Sequence, residues 1–157
     1  MRKLGMSIAA LGLAAAGLVV PATAAQASAQ SSASAAASNH CNDIWPGRNG
    51  NMYAYDSTYC YNKLGSAAGN DANWDTAGGG FENDSDKASS VMNAGYTGDL
   101  DVVKFFWLQN YEGGYNCLAP GEFFVDDLSR NTFSNGYTMN NNIRSHKWVN
   151  DCSRWMH

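Results

Sequence analysis

From about residue 40 onward, apolar and polar positions alternate over short stretches, and no segment keeps helical spacing for three turns. Runs rich in aromatic and β-branched residues predict strands at 52–55, 100–108, 122–125 and 146–149. Glycine and asparagine runs at 78–80, 113–114 and 140–142 predict turns, because both residues tolerate positive φ. Short strands separated by such turns predict an all-β sandwich.

The start of the chain has a different composition. Two basic residues precede an apolar run over 4–20, and small residues follow, with candidate cleavage points after Ala24, Ala27 and Ala29. This pattern predicts a secretory signal peptide over 1–29. The run is rich in alanine and interrupted by glycine, so it is too weakly apolar for a membrane span. Residues 30–39 predict a disordered Ala/Ser spacer, which leaves 40–157 as one domain.

Charge narrows the possible partners. Without Arg2 and Lys3, eight basic side chains remain against 14 acidic ones, a net charge of −6. A chain of this charge lacks the cationic surplus that neutralises phosphates, so a nucleic-acid partner is not expected. We expect a secreted, extracellular monomer with no membrane partner.

Cysteine use agrees with export. The domain contains all four cysteines, and an oxidising compartment predicts two disulfides. The sequence has no Cys-x-x-Cys, and His40, His146 and His157 lack paired ligand spacing, which argues against zinc. The four cysteines are Cys41, Cys60, Cys117 and Cys152.

The domain shows a weak internal duplication. Tyr59 and Tyr111 lie 52 residues apart, and each is followed by a polar stretch that ends in serine. Ser89 and Ser145, which end those stretches, lie 56 residues apart, so one short insertion reconciles the two copies.

These repeats carry two motifs. Residues 106–113, FWLQNYEG, have an aromatic, four residues, an aromatic, any residue and glycine. Residues 141–145, NNIRS, match five positions of an Asn/Asp, Asn/Asp, two free, Ser/Thr, Ser pattern, and 85–90, SDKASS, match it except at the first. Both motifs resemble the βγ-crystallin superfamily, which implies a sandwich of two Greek-key motifs.

Within that superfamily, the leader, the four cysteines and the segment 117–121 resemble small secreted actinobacterial proteins of the crystallin-fold peptidase inhibitor family, which includes metalloproteinase inhibitors. The resemblance implies a secreted inhibitor that binds an extracellular protease through a substrate-like strand. The alternative is an extracellular calcium- or glycan-binding module with no protease target. One disulfide in each Greek-key half would pair Cys41 with Cys60 and Cys117 with Cys152.

The resemblance also implies how calcium would be bound, although no cofactor is required. Each ion would be held by oxygens from both Asn/Asp turns, with water completing six to eight ligands. The alternative is that the serines only fasten their turns by local hydrogen bonds. The implied ligands are the side chains of Asp86, Ser89, Asn142 and Ser145 and the carbonyls of Lys87 and Ile143.

For the inhibitor function, the candidate protease contacts are Val103, Lys104 and Phe105, because bulky apolar residues suit the pockets of many secreted metalloproteases. The opposing interpretation is a buried central strand, since both faces of 102–106 are apolar.

Catalysis is not expected. Ser145 and His146 are adjacent, but the sequence has no nucleophile motif, and its acidic residues lie on loops rich in asparagine and glycine. Among the tryptophans, Trp45, Trp74 and Trp155 are candidates for a carbohydrate-binding face, whereas Trp148 is expected in the core.

Overall fold

A computed structural model describes residues 38–157. The predicted signal peptide and the spacer up to residue 37 lie outside these residues. The end of the predicted spacer is part of the domain, because the Asn39 side chain accepts a hydrogen bond from Cys41 N at 3.1 Å and caps the first helix. Asn39 Nδ2 also donates to Asp126 Oδ2 at 2.6 Å.

One short helix and seven strands follow. Four strands coincide with the predicted ones, although the predicted 100–108 strand is shorter, while β2, β3 and β5 were not predicted. The elements are α1 (His40–Asp43), β1 (Asn51–Tyr55), β2 (Lys63–Ala67), β3 (Ser90–Ala94), β4 (Val102–Phe106), β5 (Tyr115–Leu118), β6 (Phe124–Val125) and β7 (Ser145–Val149).

The strands form two antiparallel sheets. Sheet A has the order β2-β1-β3-β6 and sheet B the order β5-β4-β7. We call residues 51–94 the first half and 102–149 the second half. Each half contributes three strands to one sheet and one further segment to the other sheet. From the second half, β6 pairs with β3 in sheet A, and from the first half, Asp71 forms a bridge to His146 of β7 in sheet B. Two Greek-key motifs packed as a sandwich confirm the predicted fold class.

The main core lies between the sheets. Alternate positions of the strands face inward, so Met52 and Ala54 of β1 meet Val103 and Phe105 of β4 in one apolar cluster. Loop residues complete it, and all of its main members are buried. These loop residues include Trp74, Phe81, Leu128, Phe133, Met139 and Ile143.

A second, smaller cluster lies on the outer face of sheet A, where the segment 40–45 covers Tyr55 and Met92. The disulfide Cys41–Cys60 lies in this cluster, and Cys117–Cys152 joins β5 to the C-terminal segment. Both predicted pairings are confirmed, and two disulfides are compatible with an extracellular protein. Within residues 38–157, no helix has the length and apolar character needed to cross a membrane.

Candidate functional site

Two buried serines fasten the folded hairpins of the two halves in the same way. Ser145 Oγ accepts a hydrogen bond from Tyr111 N at 3.2 Å and donates one to Leu108 O at 2.6 Å. The matching contacts in the first half, at 3.0 and 2.7 Å, join Ser90 Oγ to Cys60 N and Ser57 O. Each hydroxyl thereby satisfies one amide and one carbonyl of a hairpin that no strand pairs.

These contacts correct the register of the duplication. Ser145 is the counterpart of Ser90, not of Ser89, so the serine turns lie 55 residues apart. The hairpins lie 51 apart, because Cys60 corresponds to Tyr111. The expected offsets of 52 and 56 are each wrong by one residue.

The corrected register also reveals the first-half version of the aromatic motif. Asn62 stands where the second half has Gly113, and their φ values are 56° and 76°. Asparagine is one of the few residues with a side chain that adopts this left-handed conformation readily. The first-half motif is not recognisable in the sequence, because Cys60 stands in place of the second aromatic and Asn62 in place of the glycine.

The two Asn/Asp turns meet in a reciprocal arrangement. Asp86 and Asn141 are counterparts, with φ values of 60° and 57°. Asp86 N donates to Ile143 O at 3.0 Å, and Asn141 N donates to Ala88 O at 2.9 Å. The two turns are therefore joined by equivalent backbone hydrogen bonds.

The side chains of the two turns differ. Arg144 occupies the position that Ser89 has in the first half, and its Nε lies 3.0 and 2.9 Å from the two carboxylate oxygens of Asp86. Hydrogen bonding to Asp86 raises the pKa of Arg144. Across the pair, Ser89 Oγ donates to Asn141 Oδ1 at 3.2 Å. A guanidinium thus supplies the positive charge beside Asp86.

The remaining implied calcium ligands are only partly engaged. Ser145 Oγ holds the hairpin, Ile143 O accepts from Asp86 N at 3.0 Å, and Asn142 Nδ2 donates to Asn140 O at 2.9 Å. Lys87 pairs through Nζ, 3.5 Å from an Asp84 oxygen, and not through its carbonyl. In the described part of the chain, no three His, Cys, Asp or Glu side chains converge as a metal site would require. Calcium binding stays a prediction, and at Asp86 an ion would compete with Arg144, which contacts both carboxylate oxygens.

The strand expected to contact a protease is inaccessible. β4 is the central strand of sheet B, paired with β5 on one edge and β7 on the other. Val103 and Phe105 are fully buried in the core, and only Lys104 reaches the outer face. A substrate-like strand needs a free edge and exposed side chains, so this choice of contact residues is wrong.

Ser145 and His146 do not act together. Successive side chains of β7 point to opposite faces, and the buried His146 ring lies in the core. Trp74 Nε1 donates to His146 Nδ1 at 2.9 Å, and His146 Nε2 lies 3.0 Å from Gly69 O. Burial lowers the pKa of His146 to about 4. The ring is therefore a neutral core group with both nitrogens hydrogen-bonded.

A cleft of about 360 Å³ opens where the two halves and their connecting loop meet. Tyr96 on its rim is 66% exposed, and Trp148 on its wall is half-buried. The Trp148 indole nitrogen is buried and has no hydrogen-bond partner among residues 38–157. The other lining residues are Gly50, Ala68, Gly69, Asn70, Gly95, Asp99 and Leu100.

Both aromatic rings of the cleft pack closely against a glycine. A Cβ on Gly50 would lie 2.8 Å from the Tyr96 ring, and one on Gly95 would lie 2.5 Å from the Trp148 ring. Behind this wall, Arg48 Nη1 donates to Gly95 O at 3.2 Å. The aromatic surfaces of the cleft are therefore fixed by backbone contact.

The connecting loop exposes an apolar side chain at a residue whose backbone is strained. Leu100 has φ of 56° and is 58% exposed at the cleft. A non-glycine residue in this conformation is strained, and such strain is concentrated at functional sites. The predicted strand starting at residue 100 is shorter because this left-handed residue prevents an extended backbone.

The tryptophans chosen from sequence do not line this cleft. Trp74 is fully buried, Trp45 stacks on Phe123 with centroids 4.8 Å apart, and Trp155 bridges Cys117 near the C-terminus. Trp148, assigned to the core, packs against the core but also forms the cleft wall. The packing of the Trp148 ring depends on Gly95, which lies far away in sequence.

Known proteins were compared with the chain by sequence and by structure. No protein-family model matches the chain, and no curated protein matches it significantly. Three solved chains match. One, described as "Evolution of the eye lens beta-gamma-crystallin domain fold", is 19% identical with a TM-score of 0.48, over 68% of this chain and 91% of that chain. The fold assignment itself rests on the strand order and register given above.

Proposed function

We propose that the protein is an extracellular binding module that recognises a neutral glycan in the cleft between Tyr96 and Trp148. The observation that carries the proposal is an open cleft in which an exposed tyrosine and a half-buried tryptophan lie beside the polar side chains of Asn70 and Asp99.

The chemistry of the lining suits a sugar. Sugar rings have an apolar face and a rim of hydroxyls, and tyrosine and tryptophan likewise combine an apolar body with a polar end. Asn70 Oδ1 accepts from Trp148 N at 2.8 Å, which fixes the side chain, and Asn70 and Asp99 both line the cleft. A few polar groups in a mainly apolar concavity are typical of small-molecule sites.

The charge and the rigidity of the cleft narrow the class of ligand further. Asp99 contributes a negative charge to the cleft of a chain that is already acidic, which favours neutral over acidic sugars. The rings seated on Gly50 and Gly95 lose little freedom on binding, so little of the binding free energy is spent on ordering them.

The test is a titration with neutral oligosaccharides, followed by tryptophan fluorescence and calorimetry. Tyr96→Ala and Trp148→Phe should each weaken binding by about tenfold, because the first removes the aromatic rim and the second reduces the aromatic wall. Tyr137→Ala and Trp155→Phe are matched controls, since both residues are exposed and lie outside the cleft.

Equal losses in the cleft variants and the controls would contradict the proposal, as would tighter binding of uronic-acid oligosaccharides. The same protein should be titrated against a thermolysin-like protease. Stoichiometric inhibition unaffected by Tyr96→Ala would favour the peptidase inhibitor function through a different surface.

A further inference from the structure

Two lysines face each other on the outer surface of sheet B. Lys104 of β4 and Lys147 of β7 are direct partners in the antiparallel register, so their side chains leave the same face. Like charges at directly opposite positions destabilise a sheet. The pair therefore represents a repulsion built into the centre of the sheet.

Nothing in the described chain neutralises it. Between residues 38 and 157, neither ammonium group forms an ion pair or donates a side-chain hydrogen bond. Carboxylates are abundant in this acidic domain, yet within residues 38–157 none forms an ion pair with either lysine. Three donors on each lysine remain available.

Aromatic rings hold both ammonium groups in position. Lys104 Nζ lies 3.6 Å from the Tyr115 ring centroid and 5.5 Å from that of Phe106. Lys147 Nζ lies 5.6 Å from the centroids of both Phe106 and Tyr111. Cation–π contact stabilises each lysine in the presence of its neighbour and restricts the two side chains before any ligand arrives.

In the first half, the positions equivalent to the two lysines hold uncharged residues. Tyr53 and Met92 are the counterparts of Lys104 and Lys147, and they too are direct register partners. That apolar pair belongs to the small cluster covered by the segment 40–45. The chain thus covers one outer face with its own apolar residues and places two cations on the other.

We propose that Lys104 and Lys147 form a binding site for a dianionic oxyanion, either the sulfate ion or a phosphate. Two positive charges on one face of the sheet complement a charge of −2, and charge-assisted hydrogen bonds from ammonium to such oxygens are strong. The site lies on β4 and β7, it is independent of the glycan cleft, and it would hold whether or not that cleft binds sugar.

The test titrates inorganic sulfate and inorganic phosphate into the purified domain at constant ionic strength, with chloride as the balancing anion. The readouts are thermal melting and the NMR shifts of the lysine side chains. In wild type the lysine NMR shifts should saturate, and Tm should rise with the logarithm of the anion concentration, by about 5 °C at ten times Kd. Lys104→Gln and Lys147→Gln should each weaken binding by about tenfold.

Lys63→Gln is the matched control. Lys63 Nζ also lies over a tyrosine, 4.9 Å from the Tyr53 centroid, but its register partner is Tyr55 and not a second lysine. This variant should keep the saturable response. Sulfate strengthens burial in any protein, so only the saturable component counts. The same response in Lys63→Gln and Lys104→Gln, or a purely linear one in wild type, would overturn the proposal.

A double-mutant cycle gives an independent measurement. In chloride, the two substitutions should show a repulsive coupling, and saturating sulfate should reverse its sign. A coupling that is zero in chloride would mean that the aromatic contacts already separate the charges, and the site would be rejected.

Discussion

The two halves of the sandwich use one backbone scheme with different side chains. In both, a buried serine bonds across the folded hairpin, and paired turns place a left-handed Asp or Asn against the other half. The first hairpin is fixed by the disulfide at Cys60, whereas the second has Tyr111 packed edge-on against Phe106 at 5.8 Å. The serines and left-handed positions define the fold, and the groups attached to them can vary.

The largest expected effect comes from removing the serine hydroxyls that fasten the two hairpins. Ser145→Ala leaves Tyr111 N and Leu108 O without their partner, and two unsatisfied buried groups should lower the free energy of unfolding by about 3 kcal/mol. Ser90→Ala should cost less, because the Cys41–Cys60 disulfide still holds its hairpin. Urea unfolding measures both. Equal losses with the disulfides intact would show that the bridge does not support the hairpin.

A second difference between the halves is His146, whose first-half counterpart is the apolar Val91. The pKa of His146 falls from 6.5 when unfolded to about 4 when folded. The unfolded chain takes up a proton in this window and the native chain does not, so stability falls as pH drops from 6.5 to 4. The loss is about 3 kcal/mol.

His146→Asn tests this directly, because an amide oxygen can still accept from Trp74 Nε1 without titrating. The variant should lose most of the stability difference between pH 6.5 and pH 4, as measured by urea unfolding at each pH. A wild-type slope that survives the substitution would assign the pH dependence to carboxylates.

An intermediate effect concerns the left-handed hairpin position. Gly113→Asn installs the residue that the first half already has, and it should be more stable than Gly113→Val by about 1 kcal/mol. Asn62→Gly should change stability by less than about 0.5 kcal/mol. Thermal melting of the three variants is sufficient. If valine were tolerated as well as asparagine, positive φ would not be required there.

The smallest expected effect comes from the substitution that gives both Asn/Asp turns a serine at the same position. Arg144→Ser removes the cation from Asp86, and since both side chains are more than a third exposed, the loss should be under about 1 kcal/mol. Millimolar calcium should then raise Tm in this variant and leave wild type unchanged. Arg130→Ser is the control, because Arg130 pairs with Asp126 and not with a residue of either turn. A calcium response in wild type would show that Arg144 yields its place.

Sequence indicated the fold better than the site. The aromatic strands β1, β4, β6 and β7 were predictable from composition, whereas β2, KLGSA, is a strand only because β1 pairs with it. The serine turns were found one residue out of register, because asparagines and serines repeat along 138–145 and 85–90. The cleft joins Gly50, Asn70 and Tyr96 to Trp148, which belongs to the second half and reaches them only after the halves associate.

The exchange of segments between the sheets has a consequence for how the chain folds. Each disulfide closes within its own region, over separations of 19 and 35 residues, so neither needs the distant half in order to form. Yet β6 completes sheet A, and Asp71 adds to sheet B, so neither half can bury its core alone. We expect oxidation to be stepwise but native structure to appear in one cooperative transition, at the slow rate of a topology rich in non-local strand pairs.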